Sequence, residues 1–408
     1  MPPAAATPLP KIVPVQGSPW QVLLTFLRLG LTSFGGPIAH LGYFRSEFVE
    51  RRRWLDDARY SDLVALCQFL PGPASSQVGI AIGMLRAGWL GALAAWIGFT
   101  LPSAILLIAF GYGISHFAFV ADSGAVHGLK VVAVAVVAQA VWGMARTLCP
   151  DPPRAALAIL SALLALILPS TLGQLSALVV CAIVGLLAFK APPTDGPHEL
   201  PLTTVSRTAG AISLALFAAL LIGLLLAAHT GSPLFTLLSG FFQTGALVFG
   251  GGHVVLPLLQ AVAVPSGAIG NAEFLAGYGA AQAVPGPLFT FAAYLGTVMH
   301  TPLQGWIGGL VFLLAIFAPA FLLVVGALPF WDSLRRRTTV RAALMGVNAG
   351  VVGLLIAALY DPLWTSAIHS KADFGLALTA FGLLVLARVP PLAVVVLCAI
   401  AGAALQGF

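Results

Sequence analysis

The sequence predicts an all-α polytopic membrane protein made of two inverted-topology repeats, each carrying broken helices and helical hairpins. Three observations predict it. Of 408 residues, 59% are hydrophobic and 8% charged, with a mean hydropathy of +1.01; a water-soluble domain cannot cover its surface with so few charges. An apolar run ending in paired glycines occurs twice: Phe26, Gly30, Phe34, Gly35 and Gly36 recur at the same spacing as Phe241, Gly245, Phe249, Gly250 and Gly251. Finally, the two triple-arginine clusters, Arg51–Arg53 and Arg335–Arg337, fall at non-equivalent places in the two halves. Backbone polar groups in lipid must be satisfied within the segment, which makes the spans helices.

Met1–Ser18 is Pro/Ala-rich with Lys11 as its one charge and no long apolar core. It is expected to be a flexible cytoplasmic N-terminus, residues 1–18, and not a cleaved signal. Trp20–Phe34 is apolar but short of the ~20 residues that a full span needs. Gly35, Gly36 and Pro37 stop it, because glycine admits φ > 0 and proline lacks the N–H that continues a helix. Ile38–Glu50 is a mixed amphipathic return that leads to Arg51, Arg52, Arg53 and Trp54. Asp56–Leu70 and Ala74–Arg86 form a second hairpin with Pro71-Gly72-Pro73 at its tip. Trp89–Tyr112 is a full span interrupted by Pro102. Val126–Met144 follows, with Lys130 and Gln139, and then the short spans Arg154–Pro169 and Leu172–Phe189. The first repeat is thus 19–190. The polar stretch Lys190–Arg207 supplies a linker over 191–206, and the second repeat is 207–408.

The second half adds one span, Ala211–Ala228, and then repeats the plan. Leu234–Phe249 leads to Gly250-Gly251-Gly252, and Glu273–Val284 to Pro285-Gly286-Pro287. Gln68 before the first Pro-Gly-Pro matches Gln282 before the second. Gly88-Trp89 matches Gly305-Trp306, Pro102 matches Pro319, and Gly128 with Lys130 matches Gly346 with Asn348. Anchors in the same order indicate an internal duplication. If both arginine clusters are cytoplasmic, equivalent loops lie on opposite sides of the membrane, so the repeats are inverted, with the N-terminus inside and the C-terminus outside.

These residues resemble the chromate ion transporter family, long-chain type. The resemblance rests on Phe34-Gly35-Gly36-Pro37 with His40, Gly42, Tyr43 and Phe44, then Trp54, Pro71-Gly72-Pro73 with Ser76 and Gln77, and Gly88-Trp89. In the second half it rests on Phe249 to His253, Pro285-Gly286-Pro287, and Gly346, Asn348 and Gly350, so that it runs from about Trp20 to Tyr360. It implies export of chromate from the cytoplasm across the inner (plasma) membrane, driven by the membrane potential or a proton gradient and conferring chromate resistance. Sulfate is the look-alike anion. Transport of sulfate or another oxyanion, or uptake, is the alternative.

An oxyanion inside a membrane needs positive ends and donors, and helix N-termini supply both. The segments restarting after Gly35-Gly36, Pro71-Gly72-Pro73, Gly250-Gly251-Gly252 and Pro285-Gly286-Pro287 are the candidate substrate site, with Ser75, Ser76, Gln77 and Thr290 as side-chain donors. Arg28 lies on an otherwise apolar helix, with Gln243 as its counterpart. Intramembrane arginine is expensive and usually functional, although Arg28 lies close enough to Trp20 to snorkel to the interface. Lys130, with Asn348 as its counterpart, poses the same choice. His253 is a candidate donor or proton carrier. Glu273 is the one carboxylate between Thr208 and Trp331; it is a proton-coupling candidate, or an acid favoured at a helix start. Glu47 and Glu50 are expected to pair with Arg45 and Arg51–Arg53.

The paired carboxylates, His-Glu-x-x-His helix or Ser/His pair of an intramembrane enzyme are missing from the sequence, so an enzyme is not expected. The four scattered cysteines show no CxxC and imply neither disulfides nor a metal site, and no cofactor is expected. The basic balance marks loops and not nucleic-acid binding. The partners expected are chromate or sulfate and the lipid bilayer. Glycine faces at Gly88/Gly91 and Gly305/Gly308 permit close helix contact within a chain or in a homodimer.

Overall fold

The computed structural model describes residues 17–116, 123–168, 171–190, 205–249, 252–335 and 337–406. Within them all regular structure is helical. α1 (Pro19–Thr32) starts where Ser18 Oγ accepts from the Trp20 N–H, and it ends at Ser33 in extended conformation. Its 14 residues rise about 21 Å, so it stops inside a hydrocarbon layer of about 30 Å. Gly35 and Gly36 take φ of 95° and 76° and turn the chain into α2 (Gly36–Arg45). A π-turn (Ser46–Arg51) and α3 (Asp57–Phe69), capped by Asp56, follow. α4 (Ala74–His116) is bent at Ala87 and Gly88 into two arms, 74–86 and 89–116. α5 (Gly124–Leu148), α6 (Pro152–Ile167) and α7 (Thr171–Ala188) complete the first repeat.

α8 (Arg207–Ala228) is the extra span, its apolar residues largely exposed. The second repeat then runs α9 (Pro233–Leu247), α10 (Val255–Ala263), α11 (Asn271–Ala283), α12 (Phe291–Val298), α13 (Gly305–Ala327), α14 (Thr338–Ala358), α15 (Lys371–Val385) and α16 (Pro391–Gln406). The linker 191–204 and the glycines Gly250 and Gly251 lie outside the described residues. Five helical segments, among them Ala74–His116, Gly124–Leu148 and Gly305–Phe330, are long and apolar enough to cross a membrane.

Equivalent helices run antiparallel, as inverted repeats require. Along α4 and its counterpart α13, Trp96 meets Phe317, Ile108 lies over Gly309, and the Tyr112 hydroxyl accepts from the Trp306 N–H. One index rises as the other falls. The hairpins return to their own side: Gly17 N–H donates to the Arg86 carbonyl, and the Arg86 guanidinium lies over Trp54. Arg45 pairs with Glu50 and Asp57, Arg51 and Arg52 with Glu47, and Arg335 with Asp62. Both arginine clusters therefore share one face.

The halves also exchange helices. α5 packs against α15 and α16 of the second repeat, and α14 against α6 and α7 of the first. A Cβ on Gly128 would overlap the Cys398 carbonyl; one on the equivalent Gly346 would overlap the Cys181 carbonyl. Lipid tails are as apolar as leucine, so such close backbone approach supplies the packing energy. Gly91 meets Gly83 and Gly308 meets Gly296 within the chain.

Gly128→Ala is expected to cost about 1–3 kcal/mol through overpacking. Gly143→Ala, on the same helix with nothing within 4 Å, should be neutral or gain up to about 1 kcal/mol of helix propensity. Thermal unfolding in detergent separates the two. Burial pushes the Glu47 carboxyl up, but its hydrogen bonds and charge pairing with Arg52 and Arg51 outweigh that and hold it below the usual range. The stability it contributes is present above about pH 4.3 and is lost as the pH falls through the folded value. Glu47→Gln should flatten the acid limb of the thermal-midpoint profile.

Candidate functional site

The broken ends of the two repeats meet. At the first tip, Gly72 N–H donates to the Val248 carbonyl at 2.7 Å; at the second, Gly286 N–H donates to the Ser33 carbonyl at 2.9 Å. Ser33 and Val248 are equivalent, as are Gly72 and Gly286, so the two bonds are one contact made twice across a pseudo-two-fold axis. The axis passes near Pro37 and its counterpart Gly252, where a Cβ on Gly252 would lie 3.2 Å from Pro37 Cγ. Gly72 and Gly286 have φ of 121° and 102°, a region that glycine alone enters without strain. Each tip also lies on the proline-containing helix of the other repeat, α13 with Pro319 or α4 with Pro102. A Cβ on Gly72 would sit 3.3 Å from Ala320 Cβ, and one on Gly286 2.9 Å from Ser103 Oγ.

The backbone is near-symmetric here, but the side chains are not. Seven polar residues of the first repeat, Ser33, His40, Ser75, Ser76, Gln77, Thr100 and Ser103, are buried at the crossing; Gln77 borders the first tip, whereas Ser33 and Ser103 border Gly286 of the second. By the motif spacings the counterparts of the seven are Val248, Val255, Phe289, Thr290, Phe291, Phe317 and Ala320. Of these seven counterparts only Thr290 is polar, so the first repeat contributes more polar side chains to the crossing than the second, whose own polar groups nearby are His253, Tyr278 and Gln282. His40 Nδ1 is 3.3 Å from Ser75 Oγ, a buried Ser/His pair contrary to the sequence expectation, formed by residues 35 apart in the chain, and the imidazole stands edge-on to Phe99 at 5.2 Å. Gln77 Nε2 closes the tip on the Pro71 carbonyl at 2.8 Å, and Ser103 Oγ donates to the Thr100 carbonyl. Ser33 Oγ, His40 Nε2, Ser76 Oγ, Gln77 Oε1 and Thr100 Oγ1 are buried with no hydrogen-bond partner. Unpaired buried polar atoms cost about 1–3 kcal/mol each, and five on first-repeat segments that meet at the crossing mark a place built for a polar occupant. The counterpart hydroxyl, Thr290 Oγ1, is already spent on the Pro287 carbonyl at 2.7 Å.

The predicted residues divide accordingly. Gly35, Gly36, Pro71, Gly72, Pro73, Ser75, Ser76, Gln77, Gly252, Pro285, Gly286, Pro287 and Thr290 gather at the crossing. Gly250 and Gly251 are outside the described residues. Arg28 is not brought to the buried cluster: it is exposed, away from the α1 stripe of Val22, Phe26 and Leu29. Gln243 donates to Ser239 Oγ on its own helix. Lys130 and Asn348 are part-buried at equivalent positions of α5 and α14. His253 follows the crossing on a short 3-10 turn, with Nδ1 2.9 Å from the Tyr278 hydroxyl. Glu273 occupies the first turn of α11, at the far end of that helix from the tip. Glu47 and Glu50 pair with arginines as expected. Ser33, His40, Thr100 and Ser103 were not among the predicted site residues. The signal that finds them is a polar residue in one repeat facing an apolar one in the other.

The sequence profile described as Chromate transporter matches residues 20–189 and 235–403, one match per repeat. A chromate transport protein of Pseudomonas aeruginosa is 31% identical over 348 residues, 84% of this chain and 80% of that one. An uncharacterized transporter of Methanocaldococcus jannaschii is 25% identical, covering 82% of each chain. A chromate transport protein of Cupriavidus metallidurans is 25% identical over 83% of this chain and 81% of its own. No solved structure matches the chain significantly.

Gly286→Ala should cost about 1–3 kcal/mol in backbone strain, and more through its contact with Ser103. The thermal midpoint is expected to fall by several degrees. The double variant Gly286→Ala/Ser103→Ala should recover only part of that fall, because removing the hydroxyl relieves the contact and leaves the backbone strain.

Proposed function

Because this chain belongs to the chromate transporter family, we propose that it exports chromate from the cytoplasm through the plasma membrane, binding the oxyanion at the repeat crossing among the polar side chains of the first repeat. The observation that carries this is a set of four buried, unpartnered polar atoms of the first repeat at the crossing, on Ser33, His40, Ser76 and Thr100; the fifth, Gln77 Oε1, only accepts and is not a donor to an anion. Three of the four are hydroxyls, and the imidazole donates from Nε2 when Nδ1 accepts from Ser75. The first turn of α4 adds backbone N–H groups without helical partners and its partial positive charge. A tetrahedral dianion offers four oxygens to such a cage. Neutral donors hold it without the deep trap that a buried ion pair would make, so release stays fast. Arg28, exposed on α1, acts in this reading through its field and not by contact.

The membrane potential alone can drive export. Moving one charge through 100 mV is worth about 2.3 kcal/mol, so a dianion gains about 4.6 kcal/mol, a gradient of roughly a thousandfold. Proton coupling is an added mode, and His253 and Glu273 are its candidates in the second repeat. Export at that driving force would give resistance to chromate. Sulfate shares the charge and shape of chromate and competes for the same cage.

The test is labelled chromate flux in everted membrane vesicles. Flux is expected to follow the imposed potential, to fall with added sulfate, and to persist in part when the proton gradient is collapsed. Ser76→Ala and Thr100→Ala should each raise KM about tenfold, the loss of one donor worth about 1.4 kcal/mol. Thr290→Val, at the counterpart of Ser76, should change KM little. Equal effects of Ser76→Ala and Thr290→Val would remove the first-repeat donors from substrate binding.

A further inference from the structure

The two hairpins, though equivalent, are packed differently. α11 is buried from Phe274 to Ala281, and a Cβ on Gly279 would overlap the Leu129 carbonyl of α5. α10 lies against α7 and α14. In the first repeat the counterparts are open. Ser61, Ala65 and Gln68 of α3, equivalent to Leu275, Gly279 and Gln282, are exposed. Tyr43 of α2 is 44% exposed where its counterpart Leu258 is 2%. Among the described residues α14, the counterpart of α5, makes no comparable packing on α3.

The open side holds a cavity of about 330 Å³, lined by Gly42, Arg45, Tyr60, Ser61, Ala65 and Gln68 among others. Arg45 stands at its mouth on the arginine face, held by Glu50 and Asp57. Gln68 lies in the last turn of α3, next to the Pro71-Gly72-Pro73 tip. From Tyr60 to Gln68 the helix rises about 12 Å, so the cavity runs along α3 from the arginine face to the turn just before the Pro71-Gly72-Pro73 tip. The exposed stripe Ser61, Ala65 and Gln68 is small or polar and is set between Leu41 and Val64, unlike the exposed Ile212, Leu216, Ile222 and Leu226 of α8. The recess beside Pro257 and Gln260, counterparts of Gly42 and Arg45, is about 170 Å³ and is roofed by Gln174 and residues of α14.

We infer that the α2–α3 cavity is the aqueous vestibule by which a tetrahedral oxyanion reaches the crossing from the arginine face, open here because α14 stands off α3 while α5 is seated on α11. Exchange of the two arrangements seats α14 on α3, lifts α5 from α11, and opens the equivalent recess on the opposite face. Val347 is the counterpart of Leu129, so in the exchanged state Val347 meets Ala65 as Leu129 meets Gly279. The inference rests on the oxyanion reading of the crossing.

The experiment uses the full chain in vesicles with Cys149→Ser, since the other three thiols are buried. Ser61→Cys, with Ala65→Cys as a second reporter, is treated with a membrane-impermeant, negatively charged methanethiosulfonate. Labelling is expected in everted vesicles and not in right-side-out ones. Sulfate or chromate at ten times its Kd should slow it about tenfold. The pair Ala65→Cys/Val347→Cys should cross-link under mild oxidation and stop flux until reduced. Absence of labelling from either side, as with lipid or a second copy over the groove, overturns the vestibule. Labelling that neither anion slows overturns it too. Failure of the pair to cross-link while Ser61→Cys is labelled overturns the exchange. Chromate flux is measured on the same vesicles. If it is absent while sulfate still protects Ser61→Cys, the chromate reading fails and the vestibule stands; flux with an unlabelled Ser61→Cys is the reverse.

Discussion

Two backbone hydrogen bonds, from Gly72 to the Val248 carbonyl and from Gly286 to the Ser33 carbonyl, govern this architecture. A helix that ends inside a membrane leaves carbonyls with no partner and no water, a cost of several kcal/mol each. Here each repeat satisfies the broken end of the other. Neither half finishes its own short helices, so each broken end needs a second repeat beside it. The swapped packing of α5 on α15 and α16, and of α14 on α6 and α7, follows the same rule.

A two-fold crossing by itself would bind a ligand in two equal ways. The chain breaks that equality with side chains. The first repeat brings hydroxyls, an imidazole and an amide to the crossing at positions where the second brings valines, phenylalanines, an alanine and one threonine. The polar half offers donors; the apolar half excludes water and keeps the local dielectric low, which strengthens each of those hydrogen bonds. A charged pocket would bind a dianion more tightly but release it more slowly. In the proposed reading, uncharged donors fit a protein whose task is passage.

The symmetry is broken a second time, in packing. One hairpin is covered by its neighbours and the other faces a cavity on the arginine side. Inverted repeats make such a pair of environments interchangeable. Close glycine contacts, such as Gly279 with Leu129 and Gly346 with Cys181, are discrete fits that either form or do not. Such interfaces favour two states over a continuum.

The sequence by itself determined the membrane class, the breaks, the duplication and its inversion. These depend on local physics: hydropathy, glycine and proline backbone limits, and arginine placement. Helix boundaries followed closely, as with Asp56–Leu70 against α3 and Trp20–Phe34 against α1. The tertiary structure decided which broken end meets which, and with that the composition of the site. Arg28 stood out as a charge in an apolar run, yet it sits outside the buried cluster, because which face of α1 is covered depends on where α4 crosses it. Ser33, His40, Thr100 and Ser103 come from separate segments whose convergence is set by contacts between distant parts of the chain, and no local pattern encodes that.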